Sequence, residues 1–392
     1  MDKQTQPSAY RSSASFSDSK PHYMVLDGLR GTAALLVVIY HVFEGLAFAA
    51  GSDVIEVMNH GYLAVDFFFL LSGFVIGYAY DDRVGRTMSN GSFIKRRLIR
   101  LHPLIVFGAV VGVVAFVMQG SVKWDGSHVA LSLVMLSLLY AMFFIPAVPG
   151  TAMDVRGNGE MFPLNGPSWS LFFEYIGNLA YILLIHRLST RVLRWIVGVI
   201  GLLLAVFCLF DLSGYGMLGV GWTLEGLNFP GGLLRMLFPY TLGMLLARDF
   251  KPGRSVRGMF WICSLVLLGV FLVPYIAGKS PVCWNAVFEL ACLMIVFPCI
   301  LLMGASARPL SKASLLACKW LGDLSYPLYA LHYPVMYVFY AWLIKHQHYH
   351  IGEVWPQALL VVVICLVLSL AALKLYDEPV RRWLTRRFVN HK

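Results

Sequence analysis

LDGLRGTAALLVVIYHVFE (Leu26–Glu44) is apolar enough for a membrane helix, yet it holds Asp27, Arg30, His41 and Glu44. His41 follows Arg30 by eleven residues. At about 100° per residue that is three turns plus about 20°, so the two side chains share one face, about 16 Å apart along the axis. Arg30 then sits at one membrane surface and His41 near the middle of a hydrocarbon core about 30 Å thick. Asp27 precedes Arg30 by three residues and Glu44 follows His41 by three, the spacing at which helix neighbours touch. An ionisable group at that depth costs at least a few kcal/mol unless it meets water or a partner, so such a track points to function. The structural alternative has Arg30 reaching back to the headgroups and His41 hydrogen-bonded to a neighbouring helix.

The rest of the chain supports a membrane setting. Of 392 residues, 58% are hydrophobic and 13% charged, where a soluble domain would be nearer half and a quarter. Apolar runs near 20 residues recur to the C-terminus without strand-like alternation, so the expected class is all-α, a polytopic helix bundle rather than a barrel. The seven cysteines lie mostly inside apolar runs with no CxxC pair and read as small buried hydrophobes. No metal-ligand spacing and no nucleotide loop is present, so neither a metal nor a resident cofactor is expected. Residues 1–23 are polar and Ser-rich; the expectation is a disordered cytoplasmic tail without a cleavable signal.

Eleven apolar candidates stand at 29–50, 62–80, 101–118, 128–147, 170–187, 193–212, 232–248, 259–277, 284–304, 323–343 and 357–376. Lys and Arg collect in cytoplasmic segments. If 128–147 does not cross, 26 of the 31 Lys and Arg fall on the cytoplasmic side, four fall outside and Arg235 lies at a helix start. If it does cross, 16 of those 26 move outside. The expectation is about ten transmembrane helices with both termini cytoplasmic, 128–147 being a re-entrant or interfacial element of the outer side. This distribution also accounts for the net charge of +10 without invoking nucleic acid. The outer segment 119–168 is the longest loop, and loops of that length are usually functional.

Further polar groups are embedded in these runs. Asp66 lies near the outer end of the second span, and Glu174 near the outer start of the fourth, just after Trp169. His332 lies about 14 Å into its span, a depth resembling that of His41. The segment FIKRRLIRLHP (Phe93–Pro103) holds Lys95, Arg96, Arg97 and Arg100. Such a cluster is either an anchor on anionic lipid or, with Arg97 and Arg100 three apart on one face, a fork for phosphate beside Arg30. Trp124, Trp169, Tyr215, Trp222 and Trp284 form an interfacial belt or a platform for sugars.

LDGLRG followed by His41, VDFFFLLSGFVIG, KRRLIRLHP, WSLFFE, LSYPLYALHYPV and DEPVRR, in this order over about residues 22–383, resemble the membrane acyltransferase-3 family of bacterial O-antigen and exopolysaccharide O-acetyltransferases. The family's Arg/Lys-x10-His motif falls on Arg30 and His41, its Arg-x-x-Arg motif on Arg97 and Arg100, and its WSLxxE motif on Trp169 and Glu174. The resemblance implies a transmembrane acyltransferase domain over 24–380 and a basic cytoplasmic tail over 381–392. Ending soon after DEPVRRWLTRRF, the chain is expected to be a standalone membrane domain without the SGNH hydrolase-like domain of many relatives. It further implies an enzyme of the bacterial inner membrane that moves an acyl group, most simply acetyl, from cytoplasmic acyl-CoA to a hydroxyl of a glycan or glycolipid. His41, Glu174 and Arg30 are the expected catalytic residues. Arg97, Arg100 and Arg30 are expected to bind acyl-CoA, and Asp27, Glu44, Asp66, Trp169 and His332 to give polar support. The rival reading is a proton-coupled transporter using His41, Glu44 and Asp66 as a relay; it calls for internal repeats, which are not seen.

The charge asymmetry makes a topological prediction. A reporter fused after Glu160 reads out on the outer side and one fused after Gly253 in the cytoplasm. A cytoplasmic signal at Glu160 overturns the ten-span arrangement.

Overall fold

The structure, a computed structural model, describes residues 20, 22–52, 54–253 and 256–389. Most of the N-terminal tail of 1–23 and residues 390–392 of the C-terminal tail lie outside the described residues. Thirteen α-helices and no β-strand occur among the described residues. They are α1 (Met24–Ala50), α2 (Ala64–Tyr80), α3 (Asn90–Met118), α4 (Leu131–Met142), α5 (Ser168–Leu183), α6 (Thr190–Leu209), α7 (Asn228–Asp249), α8 (Met259–Leu272), α9 (Trp284–Ala291), α10 (Phe297–Ser306), α11 (Lys312–His346), α12 (Ile351–Ala372) and α13 (Glu378–Phe388). A π turn (Cys292–Val296) joins α9 to α10, and a second (Leu373–Asp377) joins α12 to α13. Each precedes a proline near the start of the next helix, Pro298 and Pro379, and a proline lacks the N–H that a regular ladder needs.

Among the described residues, seven helical stretches are long and apolar enough to cross a membrane: Met24–Ala50, Gly61–Tyr80, Asn90–Met118, Ser168–Arg187, Thr190–Leu209, Trp284–Ser306 and Ile351–Phe388. Of the other expected spans, α7 has 22 residues and α11 has 35 but both hold polar groups, and α8 has 14. Apolar side chains such as Trp195, Leu202, Leu265 and Leu375 stand exposed around the rim, a surface that suits hydrocarbon and not water. The chain forms a helical membrane bundle.

The bundle has two faces. Arg248 joins Asp81 at 2.6 Å and also donates to the carbonyl of Leu188. With the α13 end beside Met24, these contacts define the basic face. Ser89, Ser189 and Ser311 start α3, α6 and α11 there, each accepting a hydrogen bond from an N–H three residues on, which satisfies a donor the helix leaves orphaned. The opposite, loop face gathers the α1–α2 connection, the α3–α5 segment and the α6–α7 loop, as in the bonds His60 N–H to Phe271 O and Met161 N–H to Trp222 O.

The element 128–147 is re-entrant. Twelve residues of α4 rise about 18 Å, short of a 30 Å core. The helix descends beside α3 until His102, midway along α3, bonds the Met142 carbonyl at 3.0 Å. The chain then climbs back, and the Trp124 N–H meets the Arg156 carbonyl at the loop face.

Two helix crossings set the centre. On α1, Gly28 lies against Cys318 and Gly31 against the Leu321 carbonyl of α11; on α2, Gly73 lies against the Tyr240 carbonyl of α7. Such small-residue faces let backbones approach in lipid, where packing rather than hydrophobic exclusion drives association. Gly31→Ala therefore drives a methyl into the Leu321 carbonyl and costs roughly 1–3 kcal/mol, the range for overpacking. Gly198 on α6 has open space around its Cβ position, so Gly198→Ala is neutral or stabilising by up to about 1 kcal/mol. Thermal unfolding of the two variants in detergent checks the contrast, and equal midpoints overturn it.

Candidate active site

The α1–α11 crossing brings two imidazoles together. The rings of His41 and His332 stack with centroids 5.1 Å apart at 28°. Nδ1 of His41 lies 2.7 Å from Oε2 of Glu44. The Glu44 carboxylate also receives the hydroxyls of Tyr40 at 3.1 Å, Tyr340 at 3.0 Å and Tyr333 at 3.3 Å. An ionised Glu44 held by three phenols takes the Nδ1–H, which leaves Nε2 of His41 as the nitrogen with a free lone pair. His332 is fully buried; its Nδ1 lies 2.9 Å from the Tyr329 carbonyl and 3.1 Å from that of Leu328. Its Nε2 has no partner among the described residues.

His41 and Glu44 line a cavity of about 460 Å³ that opens on the loop face. The loop RGNGEMFPLNGPSW (Arg156–Trp169) forms one wall. Asp154 shapes its start by accepting N–H bonds from Gly150, Gly157 and Gly159; Gly157 and Gly159 have φ of 75° and 76°, where a side chain would be strained. Asn165 fastens the loop to α11 through the Ala330 carbonyl at 2.8 Å. Glu160, buried in this loop, accepts the Tyr337 hydroxyl. Arg156 stacks on the Tyr337 ring at 3.4 Å and donates to Pro163 O and Gln119 Oε1. Burial pushes the Glu160 carboxyl up to about 7, against the pull of the Tyr337 hydroxyl and Arg156.

Trp169 and Arg235 line the same cavity, and Asp66 lies behind Arg235. Asp66 takes three hydrogen bonds from Arg235, at 2.8–3.2 Å, and both side chains are buried. Arg235 spends its other donors on the Val220 and Tyr62 carbonyls and lies over the Trp169 ring at 5.2 Å.

A second cavity opens toward the basic face, lined by Arg30, Ser72, Arg97, Arg100, Glu174 and Tyr326 among others. Arg30 is anchored to α11, with Nε 2.9 Å from Ser325 Oγ, and it pairs with Asp27 at 3.2 Å. Arg97 and Arg100 are not a matched fork. Arg97 is buried and gives Nη2 to Glu174 at 2.5 Å. Arg100 forms no hydrogen bond or ion pair among the described residues, and lines both this cavity and the polar vestibule beside Asp377 and Arg381. Glu174 also accepts from Ser72 at 2.6 Å. It sits on the Arg100 side and not in the cavity of His41. Val65 and Tyr329 line both cavities and form the wall between them.

Sequence reasoning did not single out Arg235, Glu160 or Arg156 as site residues. Arg235 carried the usable signal: a lone arginine in an apolar run demands a buried anion, and Asp66 was at hand. The Glu160–Tyr337 contact joins positions 177 apart in the chain and left no local trace.

The chain belongs to the family described as "Acyltransferase domain" (Acyl_transf_3), which matches residues 25–374. It is 28% identical to the acyltransferase MdmB of Streptomyces mycarofaciens over 337 residues, 79% of this chain and 78% of that protein. It is 25% identical to the putative membrane-bound transacylase BcsY of Komagataeibacter xylinus over 79% of this chain and 72% of that protein. It is 23% identical to the peptidoglycan O-acetyltransferase OatA of Listeria monocytogenes over 95% of this chain and 57% of that protein. No solved structure matches.

Two predictions follow from the ion pairs. Arg97→Ala takes the guanidinium partner from the partly buried Glu174 carboxylate and lowers stability by roughly 1–3 kcal/mol, the range for a lost charged hydrogen bond; a Tm within a degree or two of wild type contradicts the pairing. Glu160 binds its proton more tightly in the folded protein than at its ordinary 4.5. Its contribution is fully present below about pH 4.5 and lost as pH rises through about 7, some 3 kcal/mol in all. Stability thus falls between pH 5 and 8, and Glu160→Gln flattens that fall; identical pH slopes in the two proteins refute it.

Proposed function

We propose that this protein is a membrane O-acyltransferase that moves an acyl group, most simply acetyl, from acyl-CoA to a hydroxyl of a glycan or glycolipid acceptor. The observation that carries the reading is the pair of cavities, opening on opposite faces and sharing the wall of Val65 and Tyr329. One offers an arginine without a partner and the other a histidine held by a carboxylate.

The basic face lies toward the cytoplasm of a bacterium, with both termini on that side of the inner membrane. There Arg100, with Arg30 and the vestibule around it, meets the phosphates of acyl-CoA through charge-assisted hydrogen bonds. Glu174 acts through Arg97, fixing its guanidinium beside the donor path rather than touching the acceptor. The acceptor hydroxyl enters from the loop face. Nε2 of His41 takes its proton as the oxygen attacks the thioester carbonyl. The C–O bond forms, the C–S bond breaks and CoA leaves as its thiol after receiving the proton from His41. Glu44 keeps the ring oriented and stabilises the imidazolium between those two transfers. No resident cofactor enters this scheme.

Purified protein incubated with radiolabelled acetyl-CoA and an acceptor extract tests the reading. His41→Gln lowers transfer about 10²- to 10⁴-fold, the usual contribution of a general base, while acetyl-CoA still binds. Arg100→Ala weakens acetyl-CoA binding about 10- to 100-fold, as expected for one charged hydrogen bond, and lowers turnover little at saturation. A His41→Gln protein with near-normal turnover removes the base from the scheme, and unchanged affinity in Arg100→Ala removes the donor site.

A further inference from the structure

The charges around the loop-face cavity are unequal. Three ionisable side chains other than tyrosine and histidine line it: Glu44, Glu160 and Arg235. Arg235 is cancelled by the Asp66 carboxylate behind it. Arg156, the other cation nearby, stacks on the Tyr337 ring and does not line the space. The wall therefore offers two carboxylates and no uncommitted cation. A phosphate, sulfate or carboxylate on a ligand would be desolvated there without a partner, at a cost of several kcal/mol.

The wall also keeps two buried polar atoms without partners among the described residues, the donor Trp124 Nε1 and the acceptor Asn158 Oδ1. A hydroxyl can serve both atoms, since it donates one hydrogen bond and accepts others. Trp169 and Trp222 add aromatic surface to the same cavity, and such a ring can lie against the apolar face of a sugar or meet a cation through its π cloud.

We infer that this cavity takes a hydroxylated acceptor that is neutral or cationic, of the neutral-sugar or amino-sugar class, and that Glu160 is the residue that excludes anionic glycans. Glu160 receives the Tyr337 hydroxyl on Oε2 and has Asn158 as a second polar neighbour, and with both it lines the cavity where a ligand hydroxyl or ammonium would enter. This deepens the acyltransferase reading and rests on it only for calling the ligand an acceptor; the charge selection belongs to the cavity itself.

The test is a binding measurement that needs no turnover. Full-length protein in nanodiscs is titrated at pH 8, above the value of about 7 to which burial lifts Glu160, with cellobiose, the glucosamine disaccharide and digalacturonate, following tryptophan fluorescence. The expected result is quenching by the first two and binding of digalacturonate at least tenfold weaker. Glu160→Gln removes any preference for the glucosamine disaccharide over cellobiose, and Glu160→Lys admits digalacturonate. Retained acetyl-CoA binding at the other cavity shows that both variants are folded. Digalacturonate bound as tightly as cellobiose by the wild type, or no quenching by any of the three, overturns the inference while leaving acyl transfer standing. Sugar binding by a protein that neither binds nor hydrolyses acetyl-CoA leaves the cavity assignment standing and removes the acyltransferase reading.

Discussion

The close crossing of α1 and α11 is the constraint on which the site depends. Gly28 and Gly31 bring the backbone of α1 against Cys318 and Leu321. With the helices that near, Arg30 reaches Ser325, the imidazoles of His41 and His332 stack, and Tyr340 sets its hydroxyl between the His41 carbonyl and Glu44. None of these contacts spans more than one side-chain length. A crossing opened by a single methyl would separate all of them together, because interiors packed at crystal density transmit displacement rather than absorb it.

A second regularity concerns charge. Several ions embedded in this bundle come as pairs, Asp66 with Arg235, Glu174 with Arg97 and Arg381 with Asp377, while buried Arg156 and Glu160 are held by neutral partners instead. Each pair joins groups whose desolvation alone would be prohibitive. Arg100, only partly buried, has no hydrogen bond of its own and stands among Arg30, Arg97 and Arg381, with Asp27 and Asp377 acting on it from farther off. A cation held by no hydrogen bond is a poor structural element and a good receptor for a polyanion, which supports the proposal that the donor binds at that end.

The sequence made some of this legible and hid the rest for a physical reason. The helix class, the shared face of Arg30 and His41 and the failure of 128–147 to cross all follow from periodicity, length and charge distribution, which are local. The likeness in depth of His41 and His332 was also readable, since rise per residue fixes depth. Which side chain meets which across helices is not a local property. Glu174, expected beside His41 and Arg30 as a catalytic residue, holds Arg97, because the rotation of α5 against α3 decides the matter and no motif spacing encodes it. Glu160 escaped notice because its burial comes from the fold of the loop around Asp154, while its surroundings in sequence, RGNGEMF, read as exposed.

The wall between the cavities bears on what can be transferred. A continuous opening past Val65 and Tyr329 would join water on the two faces, and an intact membrane does not tolerate such a leak. On the proposed scheme the two substrates would stay on their own sides while only the reacting carbon crosses the contact. The space on the Arg100 side is about 100 Å³. A short acyl group fits that arrangement. Each further methylene would need room inside a bundle whose neighbours there, Phe68, Phe69 and Leu71, are already packed, and inserting methylenes into a packed core costs roughly 1–3 kcal/mol. On the proposed scheme the same wall would keep bulk water from the thioester until an acceptor hydroxyl is seated beside His41, so the geometry that favours a small acyl group would also favour transfer over hydrolysis.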